Sequence, residues 1–212
     1  MVDWTTISSL ATAGGTLVLA LATFASVRSA QRVSRTAEEA LLLGQRPLLM
    51  PSRLDAAPEK IMFVDEHWAK VEGGRASVEL ADGNIYLAAS LRNVGTGIAV
   101  LQGWRSGALE PVAALAAMPD PQSFRPQTRD LYVPPGDVGF WQAGIRDPAD
   151  PDYAGLRATI EERRLFMIAL LYSDHEGGQR AIGRFVIAPS GEGTVWLFSL
   201  AQHWNVDRLN PR

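Results

Sequence analysis

The stretch LFMIALLYSDHEGGQRAIGRFVI, residues 165–187, indicates most directly how this chain folds. Its first part, Leu165–Tyr172, is an almost unbroken apolar run, which is typical of a central β-strand with both faces covered. After a short polar loop, Gln179–Ile187 alternates between two faces with a period of two residues, as a strand does. The stretch therefore predicts two strands joined as a hairpin.

The loop of this hairpin also holds the best candidate for chemistry. Asp174, His175 and Glu176, together with His67 and His203, carry the imidazole and carboxylate groups that zinc, manganese or iron use as ligands. Polar residues followed by two glycines are also what a hairpin loop requires. We favour the loop interpretation, and we assign no catalytic, cofactor-binding or metal site from the sequence.

Short β-like runs separated by turn residues make up most of residues 47–212. Asp82-Gly83-Asn84 suits a tight hairpin turn with positive φ angles, and Pro135-Gly136 suits the centre of a type II turn. We expect a mainly β, β-sandwich-like (Ig-like) domain. Strands are predicted over residues 48–50, 61–64, 76–80, 85–94, 98–104, 131–133, 138–143, 165–172, 179–187 and 195–200, with His203-Trp204 in a tail and the other large aromatics in the core.

One short helix interrupts these strands. Asp150 is positioned to cap it and Pro151 to take its first helical position. Tyr153 and Ile160 then fall on its apolar face. Upstream, an Ala- and Pro-rich excursion between strands predicts a second short helix over residues 111–118.

Composition excludes several classes of function. The chain of 212 residues has no cysteine, which rules out disulfides, thiolate metal sites and cysteine nucleophiles. Its net charge of −3 and the absence of a basic stripe argue against a nucleic-acid partner. Gly95-x-Gly97 lacks the third glycine and the helix of a dinucleotide loop, and no nucleophile elbow, His-Glu-x-x-His or phosphate-binding loop is present. We therefore expect no cofactor.

The N-terminal segment, residues 1–27, contains a long uncharged stretch. Residues 5–27, TTISSLATAGGTLVLALATFASV, run for 23 residues without an ionisable side chain, enough for a helix to cross a hydrocarbon core of about 30 Å. An acidic, aromatic start at residues 1–4 argues against a cleaved signal peptide, and the lack of a strongly polar face argues against a buried core helix. We predict a transmembrane helix that contacts the lipid bilayer through residues 5–27.

Residues 28–46 are predicted to continue this helix as a juxtamembrane stalk that ends before Pro47. Arg28, Arg32 and Arg35 follow the apolar stretch, whereas no Lys or Arg precedes it. Because basic residues near a span favour the cytoplasmic side, we predict a single-pass plasma-membrane protein with its N-terminus outside and its β domain cytoplasmic.

Small residues inside the span suggest a further contact. Ala11 and Gly15 form a small-xxx-small pair, which lets two membrane helices approach closely. We therefore include self-association through Ala11 and Gly15 among the expected contacts.

Four runs carry a resemblance: SLRNVGTGIAVLQGW (residues 90–104), RPQTRDLYVPPGD (125–137), GFWQ (139–142) and DHEGGQR (174–180). In these the chain resembles a group of uncharacterised bacterial single-pass membrane proteins with a C-terminal β-rich domain. The resemblance covers nearly the whole chain. It implies an architecture, and it supplies no activity and no functional residue.

Two hypotheses about function follow. The first is a membrane-anchored protein-interaction module that docks a protein partner through the β domain, and it rests partly on analogy with other folds. The alternative is a metal-assisted hydrolase built around Asp174, His175 and a second histidine. The distance of His67 or His203 from that loop distinguishes them. We favour the non-enzymatic hypothesis because the sequence carries no catalytic motif.

Overall fold

A computed structural model describes residues 4–107, 117–191 and 193–208 of the chain. Within the first helix, the side chains of residues 4–13, 18, 35, 38, 39, 42 and 43 lie outside this description. Most of the predicted helix over residues 111–118 also lies outside this description, because residues 111–116 are not described. The chain divides into two compact units between Gly44 and Gln45.

The N-terminal unit contains one α-helix, α1, over Trp4–Gly44. The helix runs through the predicted span and the predicted stalk without a break, and it ends two residues before residue 46, where we placed its end. Several of its described apolar side chains are more than half exposed: Leu17, Leu19, Leu21, Phe24 and Val27.

The described residues do not support the prediction that this helix crosses a membrane. Among them, no helix has both the length and the apolar character that crossing a bilayer requires. The side chains of residues 5–13 and 18, which belong to the predicted span, lie outside that part of the chain. Ala11 is one of these residues, whereas a Cβ atom added at Gly15 would meet nothing within 4 Å.

The second unit is mainly β, as predicted. Its strands in chain order are β1 Leu49–Pro51, β2 Glu59–Met62, β3 Trp68–Val71, β4 Arg75–Ala81, β5 Asn84–Asn93, β6 Ala99–Ser106, β7 Arg125–Val133, β8 Val138–Ile145, β9 Phe166–Ser173, β10 Ala181–Pro189 and β11 Val195–Asn205. The helix α2, Tyr153–Glu161, lies between β8 and β9, and a 3-10 turn covers Pro121–Ser123.

Nine of these strands form one curled antiparallel sheet in the order β1-β5-β4-β11-β10-β9-β6-β7, with β8 also paired to β5. The structure thus differs from the predicted sandwich, in which two separate sheets pack face to face. One strand explains the difference. β11 pairs with β10 along its length and continues the sheet into β4, and a bulge opposite Arg184 and Phe185 bends it on the way.

The sheet curls around one main apolar core. Trp104, Trp141 and Trp196 are buried in it, as predicted, and Trp104 packs edge to face on Trp141 with ring centroids 5.6 Å apart. The predicted position of His203 and Trp204 was wrong. They lie within β11, opposite β10, and not in a tail.

Two turns predicted from glycine positions are confirmed by the backbone φ angles. Asp82 and Gly83 have φ angles of 50° and 79° between the paired residues Ala81 and Asn84, as the predicted hairpin turn requires. Gly136 has a φ of 77°, which suits the predicted type II turn.

The predicted helix after Asp150 is present as α2, with Tyr153 and Ile160 buried on one face. Its cap differs from the prediction. Asp152 takes the N-cap position without a side-chain hydrogen bond, and Asp150 instead accepts a hydrogen bond of 2.9 Å from the backbone N–H of Asp152.

One buried amide, that of Asn93 on β5, makes four hydrogen bonds. Its oxygen accepts from the backbone N–H groups of Leu48 at 3.1 Å and Gly95 at 3.0 Å. Its nitrogen donates to the carbonyls of Gly97 at 2.6 Å and Val133 at 2.9 Å. The side chain is 0% exposed, so every polar atom of this amide is satisfied by protein.

We expect Asn93→Leu to lower the free energy of unfolding by about 3 kcal/mol or more, because it removes the side-chain partner of two buried carbonyls, at about 1–3 kcal/mol each, and of two half-buried N–H groups. Urea denaturation measures the change. Asn84→Ala is the control, since Asn84 is half-buried and donates one side-chain hydrogen bond, to Tyr86. It should cost at most about 1 kcal/mol. Equal losses in the two variants would contradict the role given to Asn93.

Candidate docking surface

Strands β2 and β3 form a two-stranded ribbon apart from the main sheet. Its inner side chains alternate with its outer ones, as the two-residue period of a strand requires. The inner face packs on Tyr86 and Ala88 of β5, and the buried residues that it contributes are Ile61, Phe63, Ala69 and Val71. The ribbon is therefore fixed to the domain by its own apolar face.

The outer face of the ribbon is the candidate site, and we call it the docking face. It consists of Lys60, Met62, Val64, Trp68 and Lys70. Met62 and Trp68 are directly opposite each other across the strands, yet they are 45% and 58% exposed, and Val64 beside them is 78% exposed. Large apolar side chains grouped on an exposed face mark interaction surfaces more often than scattered ones do.

Positive charge borders this apolar group. Lys60 and Lys70 are direct cross-strand neighbours, an arrangement that is unfavourable for two like charges. Lys70 lies 4.0 Å from Glu72, at the outer limit for an ion pair. On the other side, the guanidinium group of Arg129 approaches the Met62 carbonyl at 3.4 Å. The docking face thus combines an apolar centre with a cationic border.

The loop between β2 and β3 is held by polar contacts to the domain. Asp65 accepts hydrogen bonds from Arg146 at 2.7 Å and from the Tyr86 hydroxyl at 2.6 Å. The ring of His67 stacks on Tyr86 with centroids 3.9 Å apart, and its Nε2 lies 2.9 Å from Glu79. Because these contacts fix the loop, Val64 and Trp68 are presented by a preorganised surface.

The same neighbourhood does not form a nucleophilic site. Ser77 donates to Glu79 at 2.7 Å, and His67 contacts that same carboxylate. A serine nucleophile needs a histidine as its immediate base, with the carboxylate behind the histidine. Here the carboxylate lies between the other two groups, so the cluster is a structural contact between the β2–β3 loop and β4.

The structure shows no shared metal site for the candidate ligands Asp174, His175 and Glu176 among the described residues. Asp174 is buried, and its carboxylate accepts from the backbone N–H groups of Gly178 at 2.8 Å and Gln179 at 3.3 Å. His175 and Glu176 next to it are exposed. In the part of the chain that the structure describes, no group of three or more His, Asp or Glu side chains is positioned to hold a metal ion.

His203 lines a surface cavity of about 330 Å³ where the chain enters the β domain. Arg46, another lining residue, donates to Asn205 at 2.8 Å and forms an ion pair of 2.7 Å with Asp207. The charge of Arg46 is therefore already matched within the protein. This cavity contains neither Asp174 nor His175.

Sequence reasoning missed β3 and with it Trp68. Apolar residues occur on both faces of this ribbon, because Met62 and Val64 alternate with Ile61 and Phe63. This hides the two-residue period that identifies a half-buried strand. The spacing of Ala69 and Val71 could have predicted β3. Their alternation places both on the inner face and Trp68 on the outer face.

Comparisons with known proteins add no function. No family model matches the chain, and no curated protein matches it. A solved structure of a protein from Archaeoglobus fulgidus is similar at 12% identity over 63% of this chain and 95% of that one, with a TM-score of 0.24. At that TM-score the likeness supports no inference about fold or function.

Asp65 should make the anchoring of the docking face dependent on pH. Its hydrogen bond from Arg146 holds the pKa of the Asp65 carboxyl well below the ordinary range. A depressed pKa stabilises the folded state above the unfolded value of about 3.9, and the stabilisation is lost as the pH falls below it. We therefore expect Asp65→Asn to lower the free energy of unfolding at pH 7 and to have a smaller effect at pH 3.

Urea denaturation of both proteins at the two pH values measures this difference. Asp147→Asn is the matched control, because the Asp147 side chain accepts from the backbone of Ala149 in an exposed turn. An Asp65→Asn effect of the same size at pH 7 and pH 3 would show that the ion pair does not anchor the loop.

Proposed function

We propose that this chain is a membrane-anchored protein-interaction module that docks its partner through the docking face. The observation that carries the proposal is the exposed Met62–Trp68 pair on a ribbon whose other face is packed. Tryptophan is enriched among the residues that dominate binding energy at interfaces, since it buries a large area at small cost in side-chain entropy. A packed inner face and an apolar outer face together favour a preformed binding surface.

The charges around this pair favour one class of partner. Lys60, Lys70 and Arg129 present a cationic border, and a carboxylate placed between Lys60 and Lys70 would relieve their mutual repulsion. We propose a protein segment that places an apolar side chain against Trp68 and acidic side chains against the lysines.

The helix α1 is the proposed anchor. Its described apolar side chains lie exposed around it, and residues 5–27 contain no ionisable side chain. A bilayer provides the apolar environment that exposed apolar side chains on an uncharged helix favour, and the helix satisfies its own backbone hydrogen bonds there. Self-association through Ala11 and Gly15 belongs to the same proposal. No helix among the described residues meets the requirements for a span, so the anchor needs a direct test.

The partner test uses a photoreactive phenylalanine analogue placed at position 68 in living cells. We expect a reproducible crosslinked protein whose attached segment is apolar and acidic. The double variant Lys60→Glu with Lys70→Glu should reduce this crosslink at least tenfold, because it reverses the charge of the border.

Position 165 is the control for this experiment. Leu165 is 60% exposed, which matches Trp68, and it precedes β9, away from the ribbon. Equal crosslinking from positions 68 and 165 would contradict a specific docking face. So would a crosslink whose yield does not respond to reversal of the lysines.

The location test extracts membranes with alkaline carbonate. We expect the full-length chain to remain in the membrane pellet and a chain lacking residues 1–27 to be released, because the removed residues supply the apolar contact with lipid. Protease added to intact spheroplasts should leave the β domain uncut, given Arg28 and Arg32 after the apolar stretch. Release of the full-length chain by carbonate would contradict the anchor, and cleavage in intact spheroplasts would contradict its orientation.

A further inference from the structure

Strand β7 contains a large bulge beside the ribbon. In its pairing with β6, Leu131 is opposite Leu101 and Pro126 is opposite Gly103. Between these pairs, β6 has one residue and β7 has four, Gln127–Asp130, which we call the β7 bulge. Bulges re-aim side chains and interrupt pairing, and they are common next to functional sites.

The β7 bulge faces β8 across a gap in the sheet. β7 pairs with β6 and β8 pairs with β5, and no ladder joins β7 to β8 among the described strands. The side-chain amide of Gln127 crosses this gap and donates to the backbone carbonyl of Gln142 at 2.8 Å. Side chains of the bulge therefore take the place of ladder hydrogen bonds there.

A small pocket lies in this gap, and we call it the seam pocket. Its lining includes Phe63, Val64, Trp104, Thr128, Gln142 and Arg146. Its volume is about 40 Å³. A water-sized group needs roughly 10–15 Å³ by this measure, so the pocket has room for about three heavy atoms.

The decisive side chain in this pocket is Gln142. The residue is 4% exposed, and its Oε1 atom is buried without a hydrogen-bond partner in the described residues. A buried carbonyl oxygen without a partner is costly, and native proteins contain few of them. A ligand in the pocket that donates a hydrogen bond to Oε1, reached by rotation of the Gln142 side chain towards the pocket that it lines, would remove that cost.

The chemistry of the pocket specifies the ligand. A primary amide offers an acceptor and a donor side by side, and a second primary amide is complementary to both. Thr128, a polar residue, also lines the pocket, as do the aromatic residues Phe63 and Trp104. Arg146 is already paired with Asp65 at 2.7 Å, which favours a neutral ligand over a carboxylate.

We propose that the seam pocket binds a primary carboxamide group, which pairs with the side-chain amide of Gln142 through two hydrogen bonds. The three heavy atoms of a carboxamide head match the room available. This proposal does not depend on the docking face, because it is carried by Gln142 and the β7 bulge. Its ligand is either a free small amide or an Asn or Gln side chain of another protein.

Acetamide is the probe. We expect its addition to ¹⁵N-labelled full-length protein to shift the side-chain NH₂ signals of Gln142 and the indole N–H signal of Trp104 in a saturable manner. Acetone lacks the donor and acetate carries a charge, so both should bind at least tenfold more weakly. N-acetylglutamine N-methylamide separates the sources: tighter binding than acetamide indicates a protein side chain, and weaker or equal binding indicates a free amide.

The matched variant is Gln142→Leu. It should weaken acetamide binding at least tenfold while leaving the protein as stable as before or more stable, since it removes a buried polar group that has no partner. Urea denaturation verifies that the variant is folded. The proposal is overturned if acetamide produces no saturable shift, if acetone binds equally well, or if folded Gln142→Leu protein binds acetamide with unchanged affinity.

Discussion

The β domain depends on the four hydrogen bonds of the buried Asn93 amide. Asn93 ends β5, near one end of the strand order, and it donates to the carbonyl of Val133, which ends β7 at the other end of that order. It also accepts from Leu48, where the chain enters the domain. The Asn93 side chain thus helps to join the two ends of the sheet, as does the hydrogen bond from Gln127 of β7 to β8, which pairs with β5, and a sheet joined at its ends must curl. The core is enclosed by this curvature and not by a second sheet.

No ladder of backbone hydrogen bonds joins β7 to β8 among the described strands, so the sheet is open there apart from the hydrogen bond of Gln127. Exposed strand edges invite pairing with other chains, and proteins cover them with bulges, prolines or additional segments. All three occur here. Pro126 and the β7 bulge interrupt the edge of β7, and Arg129 in the bulge contacts the ribbon at Met62. The docking face and the seam pocket are therefore two consequences of how this protein covers the opening in its sheet.

Strands and turns, which depend on neighbouring residues, could be predicted from the sequence. Strand order and burial, which depend on residues distant in the chain, could not. Alternation in residues 179–187 correctly predicts a strand, which is β10, and Gly83 and Gly136 correctly mark turns that need positive φ angles. Strand order is different, because nothing local to β11 indicates that it pairs with both β10 and β4. The sandwich prediction was wrong for that reason. The candidate site was missed likewise, since the burial of Gln142 and the exposure of Trp68 both arise from long-range packing.

Several local rules of stability are broken around the ribbon. Lys60 faces Lys70, Glu66 in the ribbon loop has a φ of 61°, and Gln142 has a buried carbonyl oxygen without a partner in the described residues. Each of these features costs free energy in the isolated chain. Two of them, the lysine pair and the Gln142 amide, would be relieved by a ligand, namely a carboxylate or a carboxamide. Departures from local rules concentrate at functional sites, because selection retains a cost only where binding or catalysis offsets it. The two costs that a ligand would relieve are the physical reason why we propose the function on this side of the domain.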